Sequence, residues 1–216
     1  MKTIVLKINS KNPEINKIKK AALILKKGGL VAFPTDTVYG LGADALNPEA
    51  VKKIFAVKRR PRVNPLPILI NKKNDLSKYA LHIPQKIKRL IDKFWPGPLT
   101  LTFRKKKIIP DVVTANKKTV GIRAPNNLVA LALIRAMGKP IAATSANLHG
   151  RPSPVTADEV RKNLNNKIDL ILDGGKTKLG IESTILGCAA TPPTLLRLGA
   201  IKTETLEKII GKIKKK

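Results

Sequence analysis

Two segments carry the residues with the most chemistry in this chain. Phe33-Pro-Thr-Asp-Thr-Val-Tyr-Gly-Leu-Gly42 is hydroxyl-rich and directly follows an apolar run. Drawn out as extended backbone, it puts Thr35 and Thr37 on one face with Asp36 opposite, as for a small polar substrate or a strand edge. Gly40 and Gly42 permit close backbone approach. Lys58-Arg-Arg-Pro-Arg-Val-Asn-Pro-Leu66 sets cations and the Asn64 amide among prolines that limit their freedom. Lys58 and Arg60 lie two apart and share a face if extended. A guanidinium grips two phosphate oxygens at once and an ammonium adds a point charge, so the pair suits a polyphosphate.

Other candidates lie further along. Ser145 and Asn147, in Ala143-Thr-Ser-Ala-Asn147, follow an apolar run, where a turn or cap pair is the structural alternative. Thr119 and Arg123 flank Gly121 in a predicted strand. Arg197 sits between leucines, so its head needs a partner: a phosphate or ribose edge, or else Glu182 or Asp173. Asn147-Leu-His-Gly-Arg-Pro-Ser-Pro154 is long, polar and proline-bounded, in the manner of a lid, with His149 facing solvent. Carboxylates are scarce where these cations gather. With two histidines and one cysteine, a zinc site is not expected, and no complete P-loop or dinucleotide fingerprint occurs.

These residues need a scaffold, and the pattern supplies alternating helices and strands. Asn12-Pro13 reads as a helix start, with Ile15, Ile18, Ala22 and Leu25 at helical spacing before Gly28. Leu30–Phe33 is a strand, and Asn47-Pro48 opens a second helix that ends near Lys58. Strands follow over Leu66–Ile70, Leu99–Phe103, Thr119–Arg123, Pro140–Ala143, Ile168–Leu172, Ser183–Leu186 and Thr194–Leu198. Helices are expected around Pro84–Phe94, over Leu128–Met137, after a Thr156/Glu159 capping box, and over Thr203–Ile213. The mixture argues for an α/β protein with an open, twisted, mixed sheet and flanking helices. At 216 residues one domain is expected, with a core of about 12–200 and a basic C-terminal helix and tail at 203–216.

Composition narrows the class. Aromatics are 3%, so the core is aliphatic, and Cys188 is a small core residue with no disulfide partner. No apolar run approaches a membrane span, and the start is too short in apolar residues for a signal peptide, so a cytoplasmic protein is expected. The formal charge of +29, from 43 Lys+Arg against 14 Asp+Glu, attracts nucleotides and nucleic acid. Host-wide lysine enrichment would produce it equally. Arg104-Lys-Lys-Lys107 and Lys214-Lys-Lys216 read as a solvated loop and tail.

With the hydroxyl segment, the Lys-x-Arg string and the Ser-x-Asn pair in place, the chain from about Asn12 to Ala200 resembles the YrdC-domain family, the threonylcarbamoyl-AMP synthases. The resemblance implies a YrdC-like fold in a short, single-domain form; longer relatives add a C-terminal domain, for which no room is expected after Ile213. It implies condensation of L-threonine, bicarbonate and ATP to threonylcarbamoyl-AMP and pyrophosphate, for transfer to tRNA by partner proteins. Lys58, Arg60, Ser145 and Asn147 become the catalytic set. ATP contacts would be Lys58, Arg60, Asn64, Thr119, Ser145, Ser153 and Arg197; threonine contacts would be Thr35, Thr37, Arg123, Ala143 and Ser183. Mg²⁺ would arrive with ATP, held by phosphates and water, with no metal site of the protein's own. One departure is Leu69, where some relatives carry a histidine. Two alternatives remain: a non-enzymatic RNA-binding protein, and a carbamoyl-adenylating enzyme with another acyl donor. Weak RNA binding is also expected beside the enzymatic reading.

Overall fold

The computed structural model describes residues 2–215. In chain order the elements are β1 (Ile4–Lys7), α1 (Ile15–Lys26), β2 (Val31–Phe33), β3 (Gly40–Asp44), α2 (Pro48–Lys58), β4 (Ile68–Leu69), α3 (Leu76–Tyr79), α4 (Gln85–Phe94), β5 (Leu99–Arg104), α5 (Asp111–Thr114), β6 (Thr119–Arg123), α6 (Leu128–Met137), β7 (Ile141–Ser145), α7 (Ala157–Leu164), β8 (Leu170–Asp173), β9 (Thr184–Gly187), β10 (Thr194–Arg197), α8 (Thr203–Ile210) and β11 (Lys214–Lys215). All the strands join one mixed sheet in the order β1-β8-β2-β3-β7-β4-β6-β5-β9-β10-β11.

The period-two alternation of the strands decides where a site can form. Ile68, Leu101, Phe103, Val120, Ile122, Ala142 and Leu186 point to one face, into a continuous core with α2, α4, α5, α7 and α8. The opposite face is covered over part of its width only. There Ile18, Ala22 and Leu25 of α1 and Val129, Leu133 and Ile134 of α6 pack on Val31, Phe33, Ile141 and Leu170. Beyond these helices, Leu69, Thr100, Arg123, Ala143 and Ile185 face an open cleft.

Local chemistry explains several boundaries. Asn47 caps α2 by accepting from Glu49 N and Ala50 N, with Pro48 in the first turn. Asn127 caps α6 and Gly138, at φ 70°, ends it. Thr156 Oγ1 caps α7 through Glu159 N, while the Glu159 carboxylate reaches back to Val155 N. Cys188 is buried and burial pushes its thiol up to about 12, an inert core residue.

Several expectations are corrected. Asn12 is not a helix cap: α1 starts at Ile15, and Asn9 builds the preceding turn by accepting from Lys11 N and Asn12 N. Ile15 is 70% exposed and Ala21 takes its place in the buried stripe. The last helix stops at Ile210, where Gly211 has φ 80°; Lys214 and Lys215 then form β11 beside β10 instead of a free tail. Lys216 lies outside the described residues. Lys105 is not simply solvated, since its Nζ donates to Ile109 O and Asp111 Oδ1, both at 2.7 Å. Strands β1 and β3 are not among the elements expected from the residue pattern.

Candidate active site

The cation string is built by the end of α2. Lys58 is its last residue, and Arg59 adopts left-handed backbone at φ 51° to reverse the chain. The extended Lys58–Arg60 face is therefore not formed. Lys58 is 1% exposed, and its ammonium donates to Ser145 O at 2.5 Å, to Asn147 O, and to Asn147 Oδ1 at 3.1 Å. Burial and the Arg60 charge push it down to about 7, with Glu182 resisting. The three carbonyl oxygens act with Glu182, because each accepts an N–H that only the ammonium supplies in full. Arg60 is half-buried; its Nε and Nη2 donate to the carbonyls of Asn64 and Pro65 at 3.3 and 3.2 Å. The proline-bounded turn thus aims Arg60 through its backbone.

Asn147 is likewise consumed by the protein: its Nδ2 donates to Arg151 O while its Oδ1 faces Lys58. His149 N donates to Lys58 O at 2.9 Å, so Lys58 ties the Ser145–Arg151 loop through both its ammonium and its backbone carbonyl. The His149 side chain is exposed, as expected.

The threonine segment is a tight bend, not the extended run expected. Thr35 Oγ1 donates to Val38 O at 2.7 Å and accepts from Thr37 N. Its only hydroxyl proton being spent there, the 2.9 Å contact between the two hydroxyls has Thr37 as donor. Thr37 Oγ1 in turn accepts from Arg123 Nη1 at 2.9 Å. Asp36 is not opposite in solvent but buried, pairing with Arg123 Nη2 at 2.5 Å and accepting from Asn126 N. Arg123 Nε donates to Gly97 O at 2.9 Å, which leaves one N–H on each terminal nitrogen. Burial lowers the Arg123 pKa and Asp36 opposes this.

On the far wall, Arg197 donates to Ser183 O at 2.8 Å and Ser183 Oγ at 3.1 Å, and pairs through Nη1 with Glu182 Oε2. Glu182 is thus the partner realised among the sequence alternatives. Its other oxygen accepts from Ser153 Oγ at 2.5 Å. Thr100 Oγ1 and Ser183 Oγ are 2.9 Å apart.

Together these groups line a cleft of about 310 Å³. Lys58, Arg60, Ser145, Asn147, Ser153, Arg197, Thr35, Thr37, Arg123, Ala143 and Ser183 all border it, with Leu69 among its apolar walls. Asn64 and Thr119 do not: Asn64 acts through its carbonyl, and Thr119 lies at the far end of β6, opposite Arg104. Carboxylates are scarce there, as expected: among the described residues that line the cleft Glu182 is the one carboxylate, and Asp36 stands behind Arg123. Thr100 and Tyr39 went unpredicted. Thr100 carried a signal, as the polar residue between Leu99 and Leu101 on the open face. Tyr39, whose hydroxyl donates to Gly175 O at 2.7 Å, carried none. Among the described residues no group of three or more histidine, cysteine or acidic side chains could hold a metal ion.

An open mixed sheet with one half-covered face, carrying cations and hydroxyls in the uncovered part, defines an α/β protein with a cleft suited to small anionic molecules. A family model, Sua5_yciO_yrdC, described as "Telomere recombination", matches residues 23–199. The chain belongs to this Sua5/YciO/YrdC family. It is 46% identical over 98% of its length to a threonylcarbamoyl-AMP synthase of Pyrococcus abyssi, covering 62% of that protein. It is 49% identical over 91% of its length to a threonylcarbamoyl-AMP synthase of Bacillus subtilis, covering 57% of it. The chain therefore spans about three fifths of the length of these relatives. A crystal structure of P. abyssi Sua5 complexed with L-threonine superposes with a TM-score of 0.96 at 45% identity, over 99% of this chain and 63% of that one. The YrdC-like fold expected from the resemblance is established by this match.

Proposed function

We propose that the protein is a threonylcarbamoyl-AMP synthase acting on L-threonine, bicarbonate and ATP. The observation that carries this reading is the convergence of Lys58, Arg60, Arg123 and Arg197 with serine and threonine hydroxyls in one cleft, in a chain nearly half identical to proteins bearing that name. Threonine's carboxylate takes the two free N–H groups of Arg123, which Asp36, Thr37 and Gly97 hold in place. Thr35 and Thr37 orient that guanidinium, their hydroxyl protons already being spent. The triphosphate lies toward Arg60, Ser145, Ser153 and Arg197. The threonine amine adds to bicarbonate with loss of water, giving a carbamate. Its carboxylate oxygen attacks the α-phosphorus, and the bond to the β-phosphate oxygen breaks to release pyrophosphate. The nucleophile is an anion already, so the protein's work is to hold two anions together and stabilise the transferring phosphoryl group. Mg²⁺ enters as part of the ATP substrate, on phosphate oxygens and water.

The product is an activated carbamate for a tRNA-modifying transferase. Among the described residues no helix is long and apolar enough to cross a membrane, and the cytoplasm is the compartment proposed. The test uses ¹³C-bicarbonate with threonine and Mg-ATP, with products resolved by mass spectrometry. An adenylate carrying both the label and threonine supports the reading. An unlabelled adenylate, or one formed equally with another amino acid, would sink it.

A further inference from the structure

Glu182 has no part in the reaction above, yet it is the one carboxylate among the cleft's lining residues. Its two oxygens are engaged by the two groups on that wall best suited to an anionic ligand. Oε1 receives the Ser153 hydroxyl at 2.5 Å and Oε2 receives Arg197 Nη1. Its negative charge also acts on Lys58 and Arg60, the next cations inward. The side chain is 35% exposed, so it can leave through solvent. Its backbone cannot follow: Ala200 N bonds Glu182 O at 2.9 Å, and Gly199 packs so closely on that carbonyl that a Cβ would not fit.

We propose that Glu182 is a built-in counter-anion, which holds Ser153 and Arg197 in place in the free protein and is displaced by the polyphosphate. It is a positioning residue that sets the affinity of the anion site. A dissociable carboxylate neutralises part of a cation cluster that would otherwise repel itself, and keeps Arg197 aimed at the cleft. The incoming anion must replace both of its contacts, so Glu182 competes with its own ligand. The inference rests on the polyphosphate reading of the cleft.

Inorganic pyrophosphate, titrated calorimetrically without divalent metal, tests this on wild type and Glu182→Gln, with ATP as a second ligand. Glutamine has the same shape: its Oε1 still accepts from Arg197 while its Nε2 donates to the Ser153 oxygen, so both contacts can persist with the charge removed. We expect Glu182→Gln to bind pyrophosphate about fivefold or more tightly, as befits loss of one nearby like charge. Wild-type binding with equal or weaker binding by the variant overturns the inference alone. No binding of pyrophosphate or ATP by either protein overturns the polyphosphate reading itself. Weaker binding by the variant only when Mg²⁺ is added overturns the inference in favour of Glu182 as a metal ligand. A crystal structure of wild type soaked in pyrophosphate gives a check that needs no variant. The expected result is Glu182 detached from Ser153 and Arg197; a bound anion with both contacts intact contradicts it.

Discussion

Lys58 shows how far a residue's role depends on contacts distant in sequence. An ammonium at the end of a helix reads as a phosphate ligand. In the fold its donors meet three carbonyl oxygens of Ser145 and Asn147, so its charge reaches the cleft while its hydrogen bonds shape the loop. Its folded pKa of about 7, against an ordinary 10.5, has a consequence for stability. Between those values the unfolded chain binds the proton more than the folded one, so stability rises with pH across that window. It falls as pH drops toward the folded value, and is flat below it. Urea midpoints of wild type and Lys58→Met, compared from about pH 7 to 9, should diverge by up to about 2 kcal/mol, wild type gaining as pH rises. Parallel curves would show that the carbonyl cage holds the ammonium at its ordinary pKa. At this scale the sequence told which types of residue gather: cations, hydroxyls and an amide. It could not tell their pairing, because Lys58 with Asn147 and Arg123 with Asp36 are each separated by more than eighty residues.

Elements with strong local punctuation were legible. Helices α2 and α6 begin and end where Asn47-Pro48, Asn127 and Gly138 put them. Elements whose reason is tertiary were not. Strand β3 reads Gly-Leu-Gly-Ala-Asp, without β-branched residues, and forms because β2 and β7 flank it on both sides. Strand β1 lies at the sheet's edge with Ile4 and Val5 each about two fifths exposed, so it lacks a buried stripe. Strand β11 is two lysines paired to β10. The close backbone approach expected at the glycines of β3 is realised at Gly42, where it is packing against side chains. A Cβ at Gly42 would lie 2.6 Å from Ile141 Cγ2 and 2.8 Å from Phe33 Cε1. Gly42→Ala should therefore cost about 1–3 kcal/mol in chemical denaturation, through displaced Phe33 and Ile141. An unchanged midpoint would mean that the β2-β3-β7 segment shifts freely to accept the methyl group.

Across the whole molecule, the sheet divides the work. One face is sealed by helices over a largely aliphatic core, which the low aromatic content foretold; the other is covered by α1 and α6 over part of its width and left open beside them. Which part stays open depends on strand order, and strand order is invisible in a sequence. The +29 charge is spread along the chain, but the cleft concentrates Lys58, Arg60, Arg123, Arg151 and Arg197 against Glu182. That local excess, more than the total, suits a site that brings two anions together. The most direct test of this account is pyrophosphate release from Mg-ATP with threonine and bicarbonate each supplied or withheld, in wild type and in Arg60→Ala. Release is expected only when both are present, with a loss of at least about a hundredfold in Arg60→Ala with its fold intact. Release without threonine, or near-parent release from Arg60→Ala, would contradict it.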